Sequence, residues 1–294
     1  MMPQLPQTIV HALEVSAAAS DAATVASLKT DARRPGQGST LGLFMALWRR
    51  DMLRLRGDFS RWLGVALQPL LFWAILSAGM GSMVQTEAIG GLDAFRFFFP
   101  GLLVMVVLFT TVFATMAVIE DRQSGFLQQV MVGPGHRVAL VLGKTAGVTT
   151  IAAVQVAMVT VIAPFAGFDL LDVSWWMFAS ALLLTSVGLT ALSFALAWVV
   201  PSTHGYHALM AVFLLPLWLV SGALFPSSGG VIGAIMTINP MTYAVDGFRH
   251  AMLGGAAPIS LVDAGVCFAV LGGFAVATVA LCVWLTGRVR GVVR

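Results

Sequence analysis

The chain has 294 residues, of which 59% are hydrophobic and only 10% are charged. Soluble globular domains contain about 25% charged residues, so this composition excludes an ordinary soluble protein. The net charge of +3 is explained by attraction of basic residues to anionic lipid, and nucleic acid is not an expected partner. The class that remains is an integral membrane protein in contact with a lipid bilayer.

Residues 1–40 are rich in Ala, Ser and Asp. Their apolar run is interrupted by His11 and Glu14 and follows no basic segment, which argues against a cleaved signal peptide. We expect a disordered cytoplasmic tail over residues 1–40 and a membrane domain over residues 41–294.

The segment Leu41–Arg56 has the pattern of a basic amphipathic helix. At 100° per residue its apolar side chains share one face, and Arg50 and Arg54 lie opposite. Ser39 or Thr40 is a suitable N-cap. A helix of this kind typically lies in the interface plane of a bilayer. The apolar face consists of Leu41, Phe44, Met45, Trp48, Met52 and Leu55.

Six long apolar stretches follow, and most reach the ~20 residues that cross a ~30 Å hydrocarbon core. They predict an all-α membrane protein with six transmembrane helices. Lys144 is the one cation within them, and we expect its long stem to bring the ammonium group to the interface. The stretches are Leu63–Val84, Phe97–Ile119, Val138–Phe165, Val173–Val200, Ala208–Phe225 and Val262–Thr286.

Basic residues predict the orientation. If the N-terminus is cytoplasmic, 14 of the 16 Lys and Arg residues fall on the cytoplasmic side, and only Arg96 and Arg249 fall outside. Because basic residues near span ends favour the cytoplasm, we expect a multi-pass protein of the inner membrane with both termini cytoplasmic.

The loop between the second and third stretches runs from Glu120 to Arg137. Asp121 or Ser124 can cap a short helix here, and Gly133–Gly135, a Gly-Pro-Gly run, ends it. We expect about two turns of cytoplasmic helix, with an apolar face that lipid or another protein must cover. That face consists of Phe126, Leu127, Val130 and Met131.

A second irregular region follows the fifth stretch. Pro226–Gly230 interrupts the helix, and Val231–Ile238 is too short to cross the bilayer, so it re-enters from outside or lies on the surface. Asn239 is a suitable N-cap with Pro240 at the first helical position, which predicts another helix before the last span.

These segments resemble the membrane subunit of ABC type-2 exporters, the permeases of drug, lipid-linked sugar and nodulation-factor export systems. The similarity extends over residues 41–290. Its most specific part is Asn239-Pro240-Met241-Thr242-Tyr243, followed by Asp246 and Arg249, which is similar to the family's Asn-Pro-Leu-Thr-Tyr signature.

The loop carries the second similarity and the amphipathic helix the third. Glu120-Asp121-Arg122-x-x-Gly125-x-Leu127-x-Gln129, with Pro134 downstream, looks like the family's acidic Gly-Thr-Leu-Glu-Gln-Leu loop. The sequence departs from that pattern where Phe126 replaces Thr and Gln128 replaces Glu.

The resemblance implies a role for each segment. Leu41–Arg56 would be a connecting helix, Ser124–Val132 a coupling helix that docks on a separate ABC ATPase subunit, and residues 226–253 an external gate. It also implies two ATPase subunits per complex, a permease homodimer, and outward movement of a hydrophobic or amphipathic substrate: a drug, a lipid or a lipid-linked saccharide. The implied coupling residues are Glu120, Asp121, Gly125, Phe126, Leu127, Gln129, Val130, Met131 and Pro134. The implied gate residues are Asn239, Pro240, Tyr243, Asp246 and Arg249.

No enzymatic chemistry is expected of this chain. Gly143-Lys144-Thr145 ends like a phosphate loop, but the pattern requires a glycine where Val138 stands. His204 and His207 have no third metal ligand nearby. Cys267 and Cys282 are ~22 Å apart along one predicted helix, beyond disulfide reach. We therefore expect no catalytic, metal or cofactor site, and we expect ATP and Mg²⁺ to be used by the ATPase subunit.

Two other classes are weighed against this interpretation. An ion-coupled secondary transporter without an ATPase partner needs ionisable residues at the bilayer midplane, and the spans offer none. An intramembrane enzyme needs a nucleophile with a base, but Ser186 and Ser193 have no acid or His partner in the spans. Co-purification with an ATPase subunit would separate both classes from a permease.

The charge distribution makes a testable prediction about topology. Single cysteines introduced by Glu87→Cys and Ser124→Cys, in a background lacking Cys267 and Cys282, should react with an impermeant thiol reagent from opposite faces of the membrane. We expect only the Glu87→Cys variant to be labelled in intact cells. Labelling of Ser124→Cys in intact cells would contradict the topology.

Overall fold

A computed structural model describes residues 40–57, 59–81, 89–125, 136–226, 230–254 and 259–288. The expected tail lies outside these ranges except for Thr40. Six of the predicted coupling residues also lie outside these ranges, namely Phe126, Leu127, Gln129, Val130, Met131 and Pro134.

The described residues form helices and turns, and no β-strand occurs among them. In chain order the helices are α1 (Thr40–Gly57), α2 (Phe59–Met80), α3 (Ala94–Gln123), α4 (His136–Thr160), α5 (Trp175–Val199), α6 (Thr203–Ala223), α7 (Gly230–Ile238), α8 (Pro240–Met252) and α9 (Ala264–Arg288). Six of the helices in this part of the chain, α2 to α6 and α9, are long and apolar enough to cross a membrane. The prediction of an all-α membrane protein with six spans is thereby confirmed.

Helix α3 lies at the centre of the bundle. It packs against α2, α4, α5 and α8, and most of its side chains are buried. A helix enclosed by protein can be apolar around its whole circumference, which explains the unbroken apolar run of its sequence. Helix α5 packs along α9 and contacts α3 on another side, so α3 and α5 together form the core.

Several helix boundaries differ from the prediction by a few residues, and two of these differences have a local cause. Helix α3 continues to Gln123, so Glu120, Asp121 and Arg122 belong to its last turn and not to the loop. No proline or glycine lies between Gly101 and Gly125, and Gly125 has a φ of 76°, in the left-handed region that glycine favours. Helix α4 ends at Thr160, ahead of Pro164, because proline interrupts helical hydrogen bonding.

Helix α6 is irregular over its second half. Its segments Met210–Leu214 and Leu219–Ala223 are π-helical, and Gly222 has a φ of 81°. The helix therefore breaks before Pro226–Gly230, where the sequence predicted the interruption. A break of this kind releases backbone carbonyls from the helical hydrogen-bond pattern.

The irregular end of α6 packs directly on α3. A Cβ added to Gly101 would lie 2.6 Å from Cβ and 3.0 Å from Cα of Ala223. Trp218 donates its Nε1–H to the carbonyl of Gly101 at 3.0 Å. The absence of a side chain at Gly101 is what allows the two backbones to approach this closely.

Gly101→Ala should therefore destabilise the protein. The added methyl group meets backbone and not a flexible side chain, and overpacking of this kind costs about 1–3 kcal/mol. The matched control is Gly273→Ala on α9, because nothing lies within 4 Å of a Cβ there and alanine favours helix by up to about 1 kcal/mol. Thermal unfolding in one detergent measures both, and equal midpoints for the two variants would contradict the close-packing argument.

Candidate functional site

The predicted site residues lie near the two ends of α3. Asp121 is in its last turn, and Phe97, whose ring the Arg249 guanidinium covers at 5.1 Å, is in its first turn. The helix between them is about 36 Å long. We call the two regions the Asp121 end and the Arg249 end.

Helix α1 packs along α4 at the Asp121 end. Among its described side chains, Leu47 and Asp51 are buried, and neither belongs to the predicted apolar face. Trp48 donates its Nε1–H to Thr150 Oγ1 of α4 at 3.2 Å. The predicted face is divided between two environments: Leu41 and Met45 are exposed, Phe44, Trp48 and Met52 are half-buried, and the side chain of Leu55 lies outside the described residues.

Two glycines of α4, one turn apart, make room for α1. A Cβ on Gly143 would lie 3.2 Å from Leu47 Cβ, and one on Gly147 would lie 2.6 Å from an Asp51 carboxylate oxygen. This Gly-x-x-x-Gly spacing is typical of close helix contacts in membranes. The prediction from the sequence missed this contact, although the spacing of Gly143 and Gly147 is its signal.

Four charged side chains meet where α1, α3 and α4 come together. Arg50 Nη2 lies 2.5 Å from Asp121 Oδ2. Lys144 Nζ lies 3.2 Å from Asp121 Oδ2 and 3.5 Å from Asp51 Oδ1. The Lys144 side chain is only 4% exposed, so the expectation that it reaches the interface is wrong, because two carboxylates neutralise the ammonium inside the protein.

Arg122 connects the same turn of α3 to α5. It donates from Nη1 to the carbonyl of Trp198 and from Nη2 to the carbonyl of Val200, each at 2.5 Å. The last carbonyls of a helix have no partner within it, and a cation there is favourable. The final turn of α3 therefore contacts α1 and α4 through Asp121 and α5 through Arg122, directly before the predicted coupling loop; Glu120 is exposed.

The Arg249 end is built around a buried ion pair on α8. Asp246 and Arg249 are 1% and 3% exposed, and Arg249 Nη1 donates to Asp246 Oδ1 at 3.2 Å. Nη2 of Arg249 donates to the carbonyl of Gly222 at 2.6 Å. The backbone N–H of Leu261 donates to Asp246 Oδ2 at 2.7 Å. One ion pair thus connects the break in α6, helix α8 and the segment that precedes α9.

The electrostatics of this pair follow from burial. Loss of solvation raises the pKa of the Asp246 carboxyl above its usual value, against the opposing effects of Arg249 and the Leu261 N–H. Burial also lowers the pKa of Arg249, and Asp246 opposes that shift. The opposite charge of the partner offsets part of the cost of burying each group, so removal of either one leaves a costly buried group.

The start of α8 is formed as the sequence predicts. Asn239 is the N-cap, with its Oδ1 accepting from the N–H of Met241, and Pro240 occupies the first position. The Asn239 amide also donates to the carbonyl of Leu217 at 2.6 Å. Tyr243 donates its hydroxyl to the carbonyl of Thr237 at 2.6 Å. These bonds attach α8 to α6 and α7.

Two polar contacts inside the bundle were not predicted. Thr110 donates a hydrogen bond to the side-chain carbonyl of Gln155, which joins α3 to α4. The hydroxyls of Thr115 and Tyr206 lie 2.5 Å apart and join α3 to α6. Gln155 is an amide within an otherwise apolar stretch, and it was the available signal for the first contact.

The residues weighed as a phosphate loop and as a metal pair lie on helices. Gly143, Lys144 and Thr145 lie inside α4 and not in a loop, and Lys144 is engaged by carboxylates. His204 and His207 are exposed. Within the described ranges, no three His, Cys, Asp or Glu side chains gather as a metal site would require.

Comparison with known proteins is consistent with this architecture. Residues 42–253 match the family model described as ABC-2 type transporter. The chain is 28% identical to the putative transport permease ycf38 of Porphyra purpurea, over 71% of this chain and 70% of the relative. It is 27% identical to nodulation protein J of Rhizobium meliloti (strain 1021), over 72% of this chain and 81% of the relative.

A third relative is aligned over a longer stretch. The inner membrane transport permease YadH of Escherichia coli (strain K12) is 25% identical over 84% of this chain and 95% of its own length. The family model covers well over half of the chain and spans both ends of α3. The chain therefore belongs to the ABC-2 type transporter family and is a transport permease of that type.

Proposed function

We propose that this permease is the membrane-spanning subunit of an ATP-driven exporter that moves a hydrophobic or amphipathic substrate outward across the inner membrane. Two copies of the chain would form the pathway. Two separate ABC ATPase subunits would use ATP with Mg²⁺ and hydrolyse the ATP. The observation that carries the proposal is the contact pattern of the last turn of α3. That turn reaches α1, α4 and α5 directly before the loop that resembles a coupling helix.

The contact pattern supports coupling for a mechanical reason. A force applied to the loop acts first on the turn that contains Asp121 and Arg122. Buried, charge-assisted contacts are stronger and more directional than apolar ones, so displacement of this turn would also displace the three helices bound to it. An ATPase subunit docked at the loop would therefore move several spans together.

The direction of transport and the orientation belong to the same proposal. The positive-inside distribution of Lys and Arg favours a cytoplasmic Asp121 end, with both termini on that side. The Arg249 end would then face outward. Ion-coupled transport without an ATPase is the competing function, and it predicts no dependence on ATP.

The nature of the pathway supports an apolar or amphipathic substrate. The six spans contain no acidic residue away from their ends, and hydroxyl and amide groups such as those of Thr110 and Gln155 are engaged with each other. A drug, a lipid and a lipid-linked saccharide are all compatible with such a surface.

Co-purification tests the central part of the proposal. Affinity purification of the tagged permease from its native cells should recover an ABC ATPase subunit in a one-to-one ratio. ATP hydrolysis by that complex should be sensitive to vanadate. Export of fluorescent amphiphiles that continues in the absence of a recoverable ATPase, and that responds to the ion gradient, would support the competing function.

The predicted apolar stripe of the loop makes a specific prediction. Leu127→Asp should weaken ATPase binding and abolish export, because burying one leucine side chain is worth ~1.5–3 kcal/mol and a charge there is unfavourable. Gln128→Asp is the matched control, since it adds the same charge outside the apolar stripe of the predicted helix. Co-purified ATPase and export, each normalised to permease abundance, measure the effect. Export at the unaltered level in Leu127→Asp would exclude the coupling role.

The ion pair between Asp246 and Arg249 leads to a second prediction. We propose that Arg249 holds the external gate by joining α8 to the break in α6. Arg249→Ala should cut export strongly, because it leaves Asp246 buried without its cation at a cost of about 3–5 kcal/mol.

Arg249→Lys is the informative companion variant. It keeps the charge, but lysine lacks the planar fork that reaches Asp246 and the Gly222 carbonyl together, so we expect poor rescue of export. Amphiphile export at equal membrane abundance is the measurement. Unaltered export in Arg249→Ala would remove the gate role.

A further inference from the structure

The four charges at the Asp121 end form an alternating chain. In spatial order they are Arg50, Asp121, Lys144 and Asp51, so every neighbour is of opposite sign and the net charge is zero. The two inner members are 8% and 4% exposed as side chains, and Asp51 is 8% exposed. Arg50, at 24%, is the one that water reaches most.

The four charged side chains come from three helices. Arg50 and Asp51 are adjacent on α1, Asp121 ends α3, and Lys144 lies in the third turn of α4. Lys144 therefore touches carboxylates of two different helices, Asp51 of α1 and Asp121 of α3. Its removal would take away the cation that lies against both carboxylates in a buried site, which is unfavourable.

The backbone geometry shows that α1 and α4 are shaped for this contact. Gly143 and Gly147 lie on the face of α4 that meets α1, and Asp51 fits against the bare Cα of Gly147. Gly143 precedes Lys144 directly, and Gly147 follows it by three residues. The close approach and the charge chain therefore occupy the same turn of α4.

We propose that Lys144 and Asp121 are positioning residues for transport. They fix α1 and the end of α3 to α4, so that these three elements move as one unit when the loop after Gly125 is displaced. The inference rests on the proposed function in one respect, since the displacement would come from an ATPase subunit. The unit itself is a property of the permease alone and can be tested without that subunit.

A purely structural role is the competing explanation of the same contacts. In that case the contacts would matter for stability only, and a variant with balanced charges would recover both stability and transmission of motion. A positioning role is different, because a charge-balanced variant without the connection would fold normally and yet fail to transmit motion. The test therefore needs a variant that removes the connection and leaves no uncompensated charge.

Asp51→Asn combined with Lys144→Met is that variant. It removes one negative and one positive charge and leaves Arg50 and Asp121 as an intact pair. The matched control is Asp172→Asn combined with Arg49→Met, which makes the same chemical changes at two exposed residues. Lys144→Met alone serves as the unbalanced reference.

The first measurement uses the permease alone in lipid nanodiscs. Spin labels are attached after Met45→Cys and Leu142→Cys, two exposed positions on α1 and α4, in a background with Cys267→Ala and Cys282→Ala. We expect a narrow distance distribution in the unaltered cluster and in the control. The Asp51→Asn/Lys144→Met variant should give a broad one, at an unfolding temperature close to that of the control.

The second measurement uses the complex with its ATPase subunit. A fluorophore attached after Ile238→Cys, on the exposed α7, reports the change between nucleotide-free and vanadate-trapped states at the far end of the bundle. We expect the charge-balanced variant to co-purify with the ATPase and hydrolyse ATP but to lose this change. The control should retain it.

The outcomes separate the two proposals. A narrow distribution together with an intact vanadate response in the Asp51→Asn/Lys144→Met variant would overturn the positioning role, and so would rescue of the response relative to Lys144→Met. Absence of ATPase and of any vanadate response in the unaltered protein would overturn the proposed function. The spin-label distances would still show whether α1 is fixed to α4 in the permease alone.

A second variant keeps the proposal testable if the double variant does not fold. Arg50→Gln alters the most exposed of the four charged side chains. It should broaden the distribution of distances between the labels on α1 and α4 to an intermediate extent. Lys144→Arg keeps the cation and should behave as the unaltered protein does. Unchanged distances in Arg50→Gln, if the double variant does not accumulate, would count against the proposal.

Discussion

The structure depends on one constraint, which is that a polar group inside an apolar bundle must find its partner within the protein. Helix α3 shows the consequence at both of its ends. Asp121 receives two cations from two other helices, and at the opposite end Phe97 lies beneath Arg249. Between these ends the helix meets its neighbours mainly through apolar packing, so the strong directional contacts are concentrated where the helices begin and end.

At the Arg249 end the constraint produces a sequence of dependent contacts. The break at Gly222 exposes a carbonyl, the carbonyl is satisfied by Arg249, the charge of Arg249 is balanced by Asp246, and Asp246 is completed by the N–H of Leu261. No member can be removed without leaving another unsatisfied in a buried site. The irregular α6 is therefore stable only together with α8 and the segment before α9.

This dependence explains what the sequence could and could not predict. Span number follows from composition and length, and the start of α8 follows from the local chemistry of Asn239 and Pro240, so both were predicted correctly. The partners of Lys144 were not, because Asp51 and Asp121 are distant in sequence and no local pattern reports which helices adjoin. The continuation of α3 through Arg122 was missed for a different reason. The predicted span followed the apolar run, which ends at Ile119, whereas the helix continues through charged residues to Gln123. The coupling and gate roles remain predictions.

The two ends of α3 differ in how easily their contacts can be exchanged. The outermost cation at the Asp121 end is 24% exposed, whereas the side chains of Arg249 and Asp246 are 4% and 1% exposed. Water can replace a partner for a group that it reaches, and so the cost of separating an ion pair falls with its exposure. Separation of Arg50 from Asp121 is therefore less costly than separation of Arg249 from Asp246, and Asp121 lies in the turn that adjoins the loop. Rearrangement at the Arg249 end requires α6, α8 and the segment before α9 to change their contacts together, which makes that end a cooperative element with few intermediate arrangements.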